Sequence, residues 1–490
     1  MHTYHHRSPA YSAAGTGCAG LLAGIRRKAP ASGNPAVLAA TLIAAALVAA
    51  PTLGAEADAN DWPGFRGADG SGIARSGPGP AADLTLERNL LWKAKIEGRG
   101  HSSPVITDGR IFLTTAIVGE PIPGAEPPEH TFGGQPFRHP QATDGNRHHT
   151  MNVIALDADQ GDLLWTHTAY AGRVYDDRHS ESSYASPTPV TDGERVYAYF
   201  GSEGVYAYTM EGEPVWERDI GDIKTVGLGV GTSPVLSDGL LIILADEDSG
   251  DDSFIVALDA ATGEEVWKRK RPVQASWATP IVVEHDGQKQ LLTTGYEYVI
   301  AYDPTDGSEL WRAKGLENNA IHTPMTVGDL AVFTSGYPGK VVFAIPLDSR
   351  GDLTGDDPRV WTYRKGTGYV PSNLLYDGLL YLTNDGGVIT CLDARTGEVV
   401  YEGGRLPIRG RYSASMVGGG GRILMVNTDG DAAIIRAGRE HEVLGSFSLG
   451  ESVWATPAIV GDRLYVRGRE HLFALGPAGS KADSTGGDAP

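Results

Sequence analysis

Short apolar runs separated by tight-turn residues recur along most of the chain. Each repeat opens with Ser or Thr, Pro and an apolar run, turns at Asp-Gly, and continues into a second apolar run. A third run ends in Ala-x-Asp, a Thr-Gly turn follows, and a fourth run carries a tryptophan. Apolar runs of this length between such turns predict β-strands. The unit is therefore predicted to contain four short antiparallel strands.

The repeat occurs eight times at a nearly constant interval. Successive openings lie 41 to 49 residues apart, except that the first two lie 85 apart because residues 119–150 are inserted between them. A period near 45 with four strands per unit is typical of a β-propeller blade, whereas helical repeats show apolar spacing of 3.6. The sequence thus predicts an all-β, eight-bladed propeller of four-stranded antiparallel blades. The equivalent opening residues are Pro104, Pro189, Pro234, Pro280, Pro324, Asn373, Ala414 and Pro457.

The two ends of the repeat region are each incomplete. HLFALG (471–476) has no fourth strand after it, and RNLLWKAKI (88–96) has the tryptophan-bearing pattern without preceding partners. Pairing of these N- and C-terminal strands is predicted to close the ring, which removes an exposed sheet edge. Six of the nine tryptophans then occupy one equivalent position: Trp92, Trp165, Trp216, Trp267, Trp311 and Trp361.

The closing turn is clearest in ALDAATGEEVW (257–267). Gly263 permits the tight turn, and Asp259 and Thr262 can bond turn amides that would otherwise be unpaired. Trp267 offers a large flat surface that can cover a neighbour. These residues are predicted to dock each blade onto the next, which is a structural role.

The pattern AxDxxTGxxxW at 257–267 matches in full the tryptophan-docking motif of the pyrroloquinoline quinone (PQQ) repeat family. The resemblance covers about residues 88–476, and DWPGFRGADGSGI (61–73) resembles the start of exported bacterial PQQ-like repeat proteins. That family contains quinoprotein dehydrogenases and non-catalytic propellers, among them the propeller lipoprotein of the outer-membrane barrel-assembly machinery. Membership of the fold does not choose between these functions.

Composition and charge narrow the choice of partners. Glycine supplies 65 of the 490 residues, as expected for many tight turns, and the net charge is −20. An acidic protein is repelled by phosphate backbones, so no nucleic-acid partner is expected. The cysteines are Cys18 and Cys391 alone, so loss of the leader would leave no internal disulfide.

The leader predicts export. GIRRKAP is followed by fifteen apolar or small residues at 36–50, a length that suits a signal peptide and is short for a membrane span. Ala-Glu-Ala at 55–57 predicts cleavage before Asp58 and a periplasmic or secreted mature chain without a transmembrane span. An uncleaved anchor is the alternative, and both the general secretory and the twin-arginine route stay open.

The domain organisation follows from these features. A signal peptide at 1–57 precedes an irregular segment at 58–87, an eight-bladed propeller at 88–476 and a disordered tail at 477–490. The propeller is expected to be monomeric.

Candidate site residues precede the first strand of each blade, where they should line the mouth of the central channel on the face opposite the Thr-Gly turns. The 119–150 insertion and the acidic loop at 246–253 should rise around the same mouth. Long loops on one face of a repeat scaffold usually carry binding. The candidates are Arg99, His101, Arg178, His179, Glu181, Trp277, Asn319, His322, Tyr369, Asn373, Arg411, Tyr412 and Trp454.

A PQQ- and calcium-dependent oxidoreductase of alcohols or sugars is the alternative function. PQQ is a flat tricarboxylate that needs cations, an aromatic floor, a divalent metal and a general base. Arg99, Arg178 and Arg411 could supply the cations, Trp277 or Trp454 the floor, and Glu181, Asn319 or Asn373 the calcium ligands, with Glu181 catalytic. The resemblance implies several carboxylates around calcium, and adjacent bonded cysteines in the alcohol dehydrogenases. Glu181 is the one evident carboxylate at the mouth, and no adjacent cysteines occur.

The sequence therefore predicts an exported, non-catalytic propeller that binds a protein or small molecule at the channel mouth. No cofactor is assigned, and no metal-ligand spacing is present among His101, His148, His149 and His179. A third hypothesis is an outer-membrane-protein assembly scaffold that adds a strand to client proteins at a blade edge.

Overall fold

The computed structural model describes residues 61–477, apart from residues 133–134, 249 and 275. The predicted signal peptide at 1–57, Cys18 and nearly all of the predicted tail at 477–490 lie outside the described residues. Within the described part of the chain, no helix is long and apolar enough to span a membrane.

Eight four-stranded antiparallel sheets form an eight-bladed β-propeller, which confirms the predicted fold. First strands of adjacent blades contact one another and so surround the central channel. Each blade has one turn between strands one and two and another between strands three and four. These two turns lie on the same side of the propeller, since Ala260 N donates to Gly239 O at 2.8 Å. We call this side the turn face, and the opposite side, which carries the other connections, the loop face.

The four strands of each blade follow one another from the channel to the outer edge. Blade one contains Val105–Thr107, Arg110–Pro121, Arg147–Asp157 and Leu163–Arg173, and blade two contains Val190–Thr191, Arg195–Tyr199, Val205–Thr209 and Pro214–Arg218. Blade three contains Val235–Ser237, Leu240–Ala245, Phe254–Asp259 and Glu265–Lys270, and blade four contains Ile281–His285, Gln288–Thr294, Tyr298–Tyr302 and Glu309–Lys314. Blade five contains Met325–Val327, Leu330–Ser335, Val341–Pro346 and Trp361–Tyr363, and blade six contains Leu374–Tyr376, Leu379–Thr383, Val388–Asp393 and Val399–Arg405. Blade seven contains Val417–Gly419, Arg422–Val426, Asp431–Arg436 and Val443–Ser448, and blade eight contains Ala458–Val460, Arg463–Arg467, His471–Leu475 and Leu90–Lys95.

The remaining elements are short. An α-helix spans Leu86–Asn89 and a 3-10 helix spans Gly201–Glu203. The insertion forms a hairpin of His130–Phe132 with Gln135–Phe137, and its strand Ala142–Thr143 pairs with Arg178–His179. Gly351–Asp352 adds a parallel fifth strand at the outer edge of blade four.

Ring closure occurs as predicted. Leu90–Lys95 pairs antiparallel with His471–Leu475 and completes blade eight, with Trp92 opposite Ala474. The first and last strands of the ring therefore share one sheet.

Tryptophans of the fourth strands pack on glycines in the closing turn of the next blade. The Trp216 indole N–H donates to Ala260 O at 3.0 Å, and a Cβ on Gly263 would lie 2.6 Å from the Trp216 ring. Gly263 has φ +71°, so both the backbone conformation and the ring above it require glycine. The same indole bond links Trp92 to Ala158, Trp165 to Met210, Trp267 to Pro304 and Trp361 to Ala394 at 3.0–3.2 Å.

Trp311 differs from the other five. Its indole N–H donates to Gln290 Oε1 at 3.0 Å, and Gln290 Nε2 donates to Leu347 O at 2.8 Å. In blade five a longer connection replaces the Thr-Gly turn. The Trp311 indole therefore bonds the side chain of Gln290 rather than a carbonyl of a closing turn. The buried amide of Gln290 bridges the gap and still links blade four to blade five.

Serine and threonine hydroxyls form a belt around the channel, which explains the repeated Ser/Thr before the first strand. The hydroxyl of one blade accepts the backbone N–H of the equivalent residue in the preceding blade, and six such bonds measure 2.9–3.1 Å. In blade seven the hydroxyl belongs to Ser415, so Met416 rather than Ala414 occupies the proline position. The bonds run from Ser103 to Thr188, Thr188 to Ser233, Ser233 to Thr279, Thr323 to Ser372, Ser372 to Ser415 and Ser415 to Thr456.

Residues 61–85 cross the turn-face ends of the first strands. Trp62 pairs with Ile106 of blade one, and Ile73 pairs with Gly418 of blade seven. Arg66 is fully buried, and its guanidinium donates to four backbone carbonyls, those of Gly70, Ser71, Asn373 and Met416. The segment therefore covers the turn-face end of the channel.

The same segment replaces the missing tryptophan of blade seven. Gly445 lies opposite Ile434, as Trp267 lies opposite Ala257 in blade three. A Cβ on Gly445 would lie 2.1 Å from Ala82 O, and Ala81, Leu84 and Leu86 pack into the core shared by blades seven, eight and one. The N-terminal segment thus fills the blade interface that has no docking ring.

Candidate functional site

A pocket of about 190 Å³ on the loop face combines residues from the loops of blades eight, one and two. We call it the arginine pocket. Four of the predicted candidates line it, and Arg411 lies against two of these. The lining residues are Arg99, Gly100, His101, Ser180, Glu181, Ser182, Trp454, Arg467, Gly468 and Arg469.

Trp454 is the centre of the aromatic wall of this pocket. The His101 ring is stacked on it, with ring centroids 5.4 Å apart and planes inclined by 7°. The Arg411 guanidinium carbon lies 5.0 Å from the Trp454 ring centroid, a cation–π contact. Arg411 Nη2 also donates to Glu181 Oε1 at 2.8 Å. The sequence predicted these four residues as candidates, and the structure brings them together.

Arg467 forms the floor of the pocket and was not among the predicted candidates. It is 2% exposed, and its Nη1 donates to Thr114 O at 2.9 Å and to Ser102 Oγ at 2.5 Å. Burial lowers its pKa to about 9, because nothing negative offsets the lost hydration. Arg467 ends the second strand of blade eight, and Arg469 follows it in the RGRE loop. The predicted candidates all precede first strands, whereas the position of RGRE between strands two and three is the sequence signal that could have found both arginines.

The electrostatic potential of the pocket is positive in a protein whose net charge is −20. Burial, and then Arg469 and Arg178, lower the pKa of Arg99. Burial lowers the pKa of His101 to about 3, with further lowering by Arg467, Arg178 and Arg99. The imidazole of His101 is therefore neutral at ordinary pH, and the positive charge resides on the arginines.

Arg178 positions the loop that carries Glu181. Its Nη1 donates to the carbonyls of His179, Ser180 and Ser182 at 2.7–3.2 Å, and its Nη2 pairs with Asp144 of the insertion. Arg178 is paired with Asp144 and does not line the pocket, so it supports the site without presenting charge to a ligand. The inserted loop therefore holds Glu181 in place opposite Arg411.

The remaining candidates lie apart from the arginine pocket or inside the blades. His179 Nε2 lies 2.6 Å from Gln141 Oε1, and Trp277 donates to Gly229 O at 2.9 Å. Asn319 Nδ2 donates to the Tyr369 hydroxyl at 3.0 Å. The other three candidates, His322, Asn373 and Tyr412, are buried and packed within the propeller.

The residues predicted to bind calcium do not converge. Glu181 bonds Arg411, Asn319 bonds Tyr369, and the buried Asn373 donates to Thr334 Oγ1 at 3.0 Å. Among residues 61–477 as described, no three or more His, Cys, Asp or Glu side chains are arranged to hold a metal ion. The donor set therefore does not fit a calcium–quinone centre.

A second cavity, of about 530 Å³, is acidic and lies beneath the insertion. Asp176, Glu247, Asp248, Asp251 and Asp252 line it. Burial, together with Asp176 and Glu247, raises the pKa of Asp248 to about 7. At neutral pH this crowding is relieved in part by a proton on Asp248.

Comparison with known proteins places the chain among propellers with two kinds of function. The sequence model of the family described as outer membrane protein assembly factor BamB matches residues 149–403. BamB of Nitrosomonas eutropha is 27% identical over 197 residues, which cover 39% of this chain and 42% of that protein. The 1-butanol dehydrogenase (quinone) of Thauera butanivorans is 26% identical over 270 residues, which cover 50% of this chain and 40% of that protein. The chain thus aligns with less than half the length of either relative.

A solved structure gives the same fold. The quinohemoprotein alcohol dehydrogenase of Comamonas testosteroni superposes with a TM-score of 0.59 at 12% identity, covering 86% of this chain and 81% of that one. Identity this low supports the shared fold and carries no functional assignment.

Proposed function

The chain belongs to the PQQ-like propeller family whose sequence model is described as outer membrane protein assembly factor BamB, and from this premise we propose that it is a non-catalytic scaffold that binds a partner on its loop face. The arginine pocket is the observation that carries this proposal. It is concave, strongly positive and bounded by the Trp454 wall, on the face where the inserted loop rises.

Binding rather than catalysis is supported by the groups that the pocket offers. An efficient general base has a pKa near the working pH. The pKa of His101, about 3, makes it a weak base, and Glu181 is engaged by Arg411. The proposal therefore assigns no catalytic residue, and the alternative of quinone-dependent oxidation has no support from the donor set.

We propose further that the mature protein acts in the periplasm or outside the cell, as a monomer, on a protein or a small molecule. The leader supports export, and the net charge of −20 opposes association with nucleic acid. The covered turn-face end of the channel supports the loop face as the side of access.

Strand addition to client proteins is a second candidate, favoured by the outer edges of the blades. Seven of the eight fourth strands have one hydrogen-bonded neighbour among the described residues, whereas that of blade four is covered by Gly351–Asp352. Apolar residues at or beside several of these edges are 37–54% exposed, which suits an added strand. They are Leu164, Val215, Val266, Val360, Val399 and Val443.

Site-specific photo-crosslinking in the native host separates these surfaces. A photoreactive residue at exposed Glu470, beside Arg469 in the RGRE loop, reports on the loop face and leaves the pocket arginines in place. One at exposed Glu264 reports on the turn face, and one at Val215 or Val266 reports on a blade edge. Loop-face binding predicts one discrete adduct from position 470 and none from position 264. Adducts from positions 215 and 266 with none from 470 would replace the proposal by strand addition.

A further inference from the structure

We propose that the arginine pocket recognises carboxylate groups presented by an acidic segment of a partner protein. This inference deepens the proposed scaffold function and rests on it. Three properties of the pocket lead to this ligand class: its charge, its size and its internal carboxylate.

The charge of the pocket is not balanced by its own residues. Arg99, Arg467 and Arg469 line it and Arg411 stands at its wall, while Glu181 is the one carboxylate in the lining. Arg467 is buried with backbone and hydroxyl partners alone, so its desolvation has no anionic compensation among its hydrogen-bond partners. An incoming anion would supply that compensation, and planar guanidinium groups match carboxylates in bidentate geometry.

The size of the pocket selects a small anionic group. Sites for whole small molecules usually enclose about 300–1,000 Å³. The arginine pocket, at about 190 Å³, suits one or two acidic side chains rather than a tricyclic tricarboxylate. Acidic side chains delivered on a polypeptide fit this volume, with the rest of the segment lying over the open loop face.

Glu181 acts as an internal substitute for the ligand. Its carboxylate accepts from Arg411, and both side chains are about half exposed, at 41% and 51%. The buried Arg178 fixes the loop that presents Glu181, so this carboxylate is held at the pocket entrance. A partner carboxylate must displace Glu181 from Arg411, which makes Glu181 a competitor rather than a ligand.

Fluorescence anisotropy with a labelled hexaglutamate peptide tests the proposal on the purified full chain, with labelled hexaglutamine as the matched control. We expect hexaglutamate to bind and hexaglutamine not to bind. Arg469→Ala should weaken binding about tenfold or more, whereas the exposed Arg364→Ala in blade five should leave it unchanged. Glu181→Gln should strengthen binding several-fold because the competing charge is removed. Equal melting temperatures of the variants would show that each is folded.

The proposal would be overturned by no binding of hexaglutamate, by equal binding by Arg469→Ala, or by weaker binding by Glu181→Gln. Free glutarate should displace the peptide at high concentration if the carboxylate is the recognised group. Displacement by inorganic phosphate with no effect of glutarate would contradict carboxylate recognition. A loop-face crosslink from position 470 combined with peptide failure refutes only this inference, whereas failure of both refutes the scaffold function as well.

Discussion

The imidazole of His101 lies parallel to the indole of Trp454, with their centroids 5.4 Å apart and an angle of 7° between the planes. Because the pKa of His101 is about 3, this is a contact between two neutral rings. The indole also contacts the Arg411 guanidinium, so Trp454 links a neutral base to a cation at the wall of the arginine pocket.

Replacing Trp454 should weaken binding in the arginine pocket by releasing Arg411. Trp454→Leu removes both the stacking and the cation–π contact, each worth about 0.5–1.5 kcal/mol at partly exposed sites. We expect several-fold weaker binding of hexaglutamate by Trp454→Leu and partial rescue by Trp454→Phe. Unchanged binding by Trp454→Leu would show that this wall does not position Arg411.

Gly263 should be sensitive to substitution for two separable reasons. Gly263→Ala requires alanine to adopt a φ of +71° and places its methyl group 2.6 Å from the Trp216 ring. Gly239→Ala in the same blade is the matched control, because it has φ +77° and nothing within 4 Å. We expect Gly263→Ala to be less stable than Gly239→Ala by about 1–3 kcal/mol, the usual cost of overpacking. Equal urea denaturation midpoints for the two variants would contradict docking by Trp216.

Gln290 should matter more than its sequence position suggests. Gln290→Leu leaves both Trp311 Nε1 and Leu347 O without the bonds they make in a buried site. Each unpaired buried group costs about 1–3 kcal/mol, so we expect a loss of about 2–6 kcal/mol by urea denaturation. Gln288→Leu, in the same strand but partly exposed, should lose under about 1 kcal/mol. Comparable losses in both variants would exclude the bridging role.

Gly445→Ala should loosen the N-terminal segment. The added methyl would lie 2.1 Å from Ala82 O, whereas Gly438→Ala has nothing within 4 Å and serves as control. We expect trypsin to cleave Gly445→Ala after Arg66 or Arg75 several times faster than the wild type or Gly438→Ala. Equal cleavage rates would show that residues 61–85 are held independently of blade seven.

His322 should make the protein less stable in mild acid. Burial lowers its folded-state pKa to about 4, against an ordinary value of 6.5, so between these values the unfolded chain binds more protons. The free energy of unfolding therefore falls as the pH drops from 6.5 towards 4. The loss reaches about 3 kcal/mol, because one pKa unit corresponds to about 1.36 kcal/mol. Relative to wild type, His322→Gln should gain stability as pH falls through this window. A difference that does not change with pH would contradict the lowered pKa.

Features that the blades share could be predicted from the sequence, whereas contacts that replace them in a single blade could not. The period and the Thr-Gly turns recur along the repeat, and the strand at 88–96 matches the fourth strand that the last unit lacks. Together they predict the closed propeller. The Gln290 bridge and the place of Ala82 against Gly445 arise where a unit departs from the repeat. Such contacts depend on which residues from elsewhere in the chain pack at that position. The residue spacing within one repeat does not predict them.

The arginine pocket shows the same limit. Arg99, His101, Glu181, Arg411 and Trp454 could be found because they precede first strands. Arg467 ends a second strand, so its place on the loop face could also have been inferred from the repeat, whereas its burial depends on packing against Ser102 and Thr114. Exposure was equally hidden from the sequence: His322 directly precedes the belt residue Thr323 and Asn373 occupies the proline position of blade six, and the structure buries both.

Binding without oxidation chemistry is tested most directly by incubating the purified full chain with PQQ and calcium. The absorption spectrum after desalting reports retained quinone, and a redox dye reports oxidation of added alcohols and sugars. We expect no retained quinone and no substrate-dependent dye reduction. A retained quinone spectrum with turnover that is lost in Glu181→Gln would contradict the scaffold function.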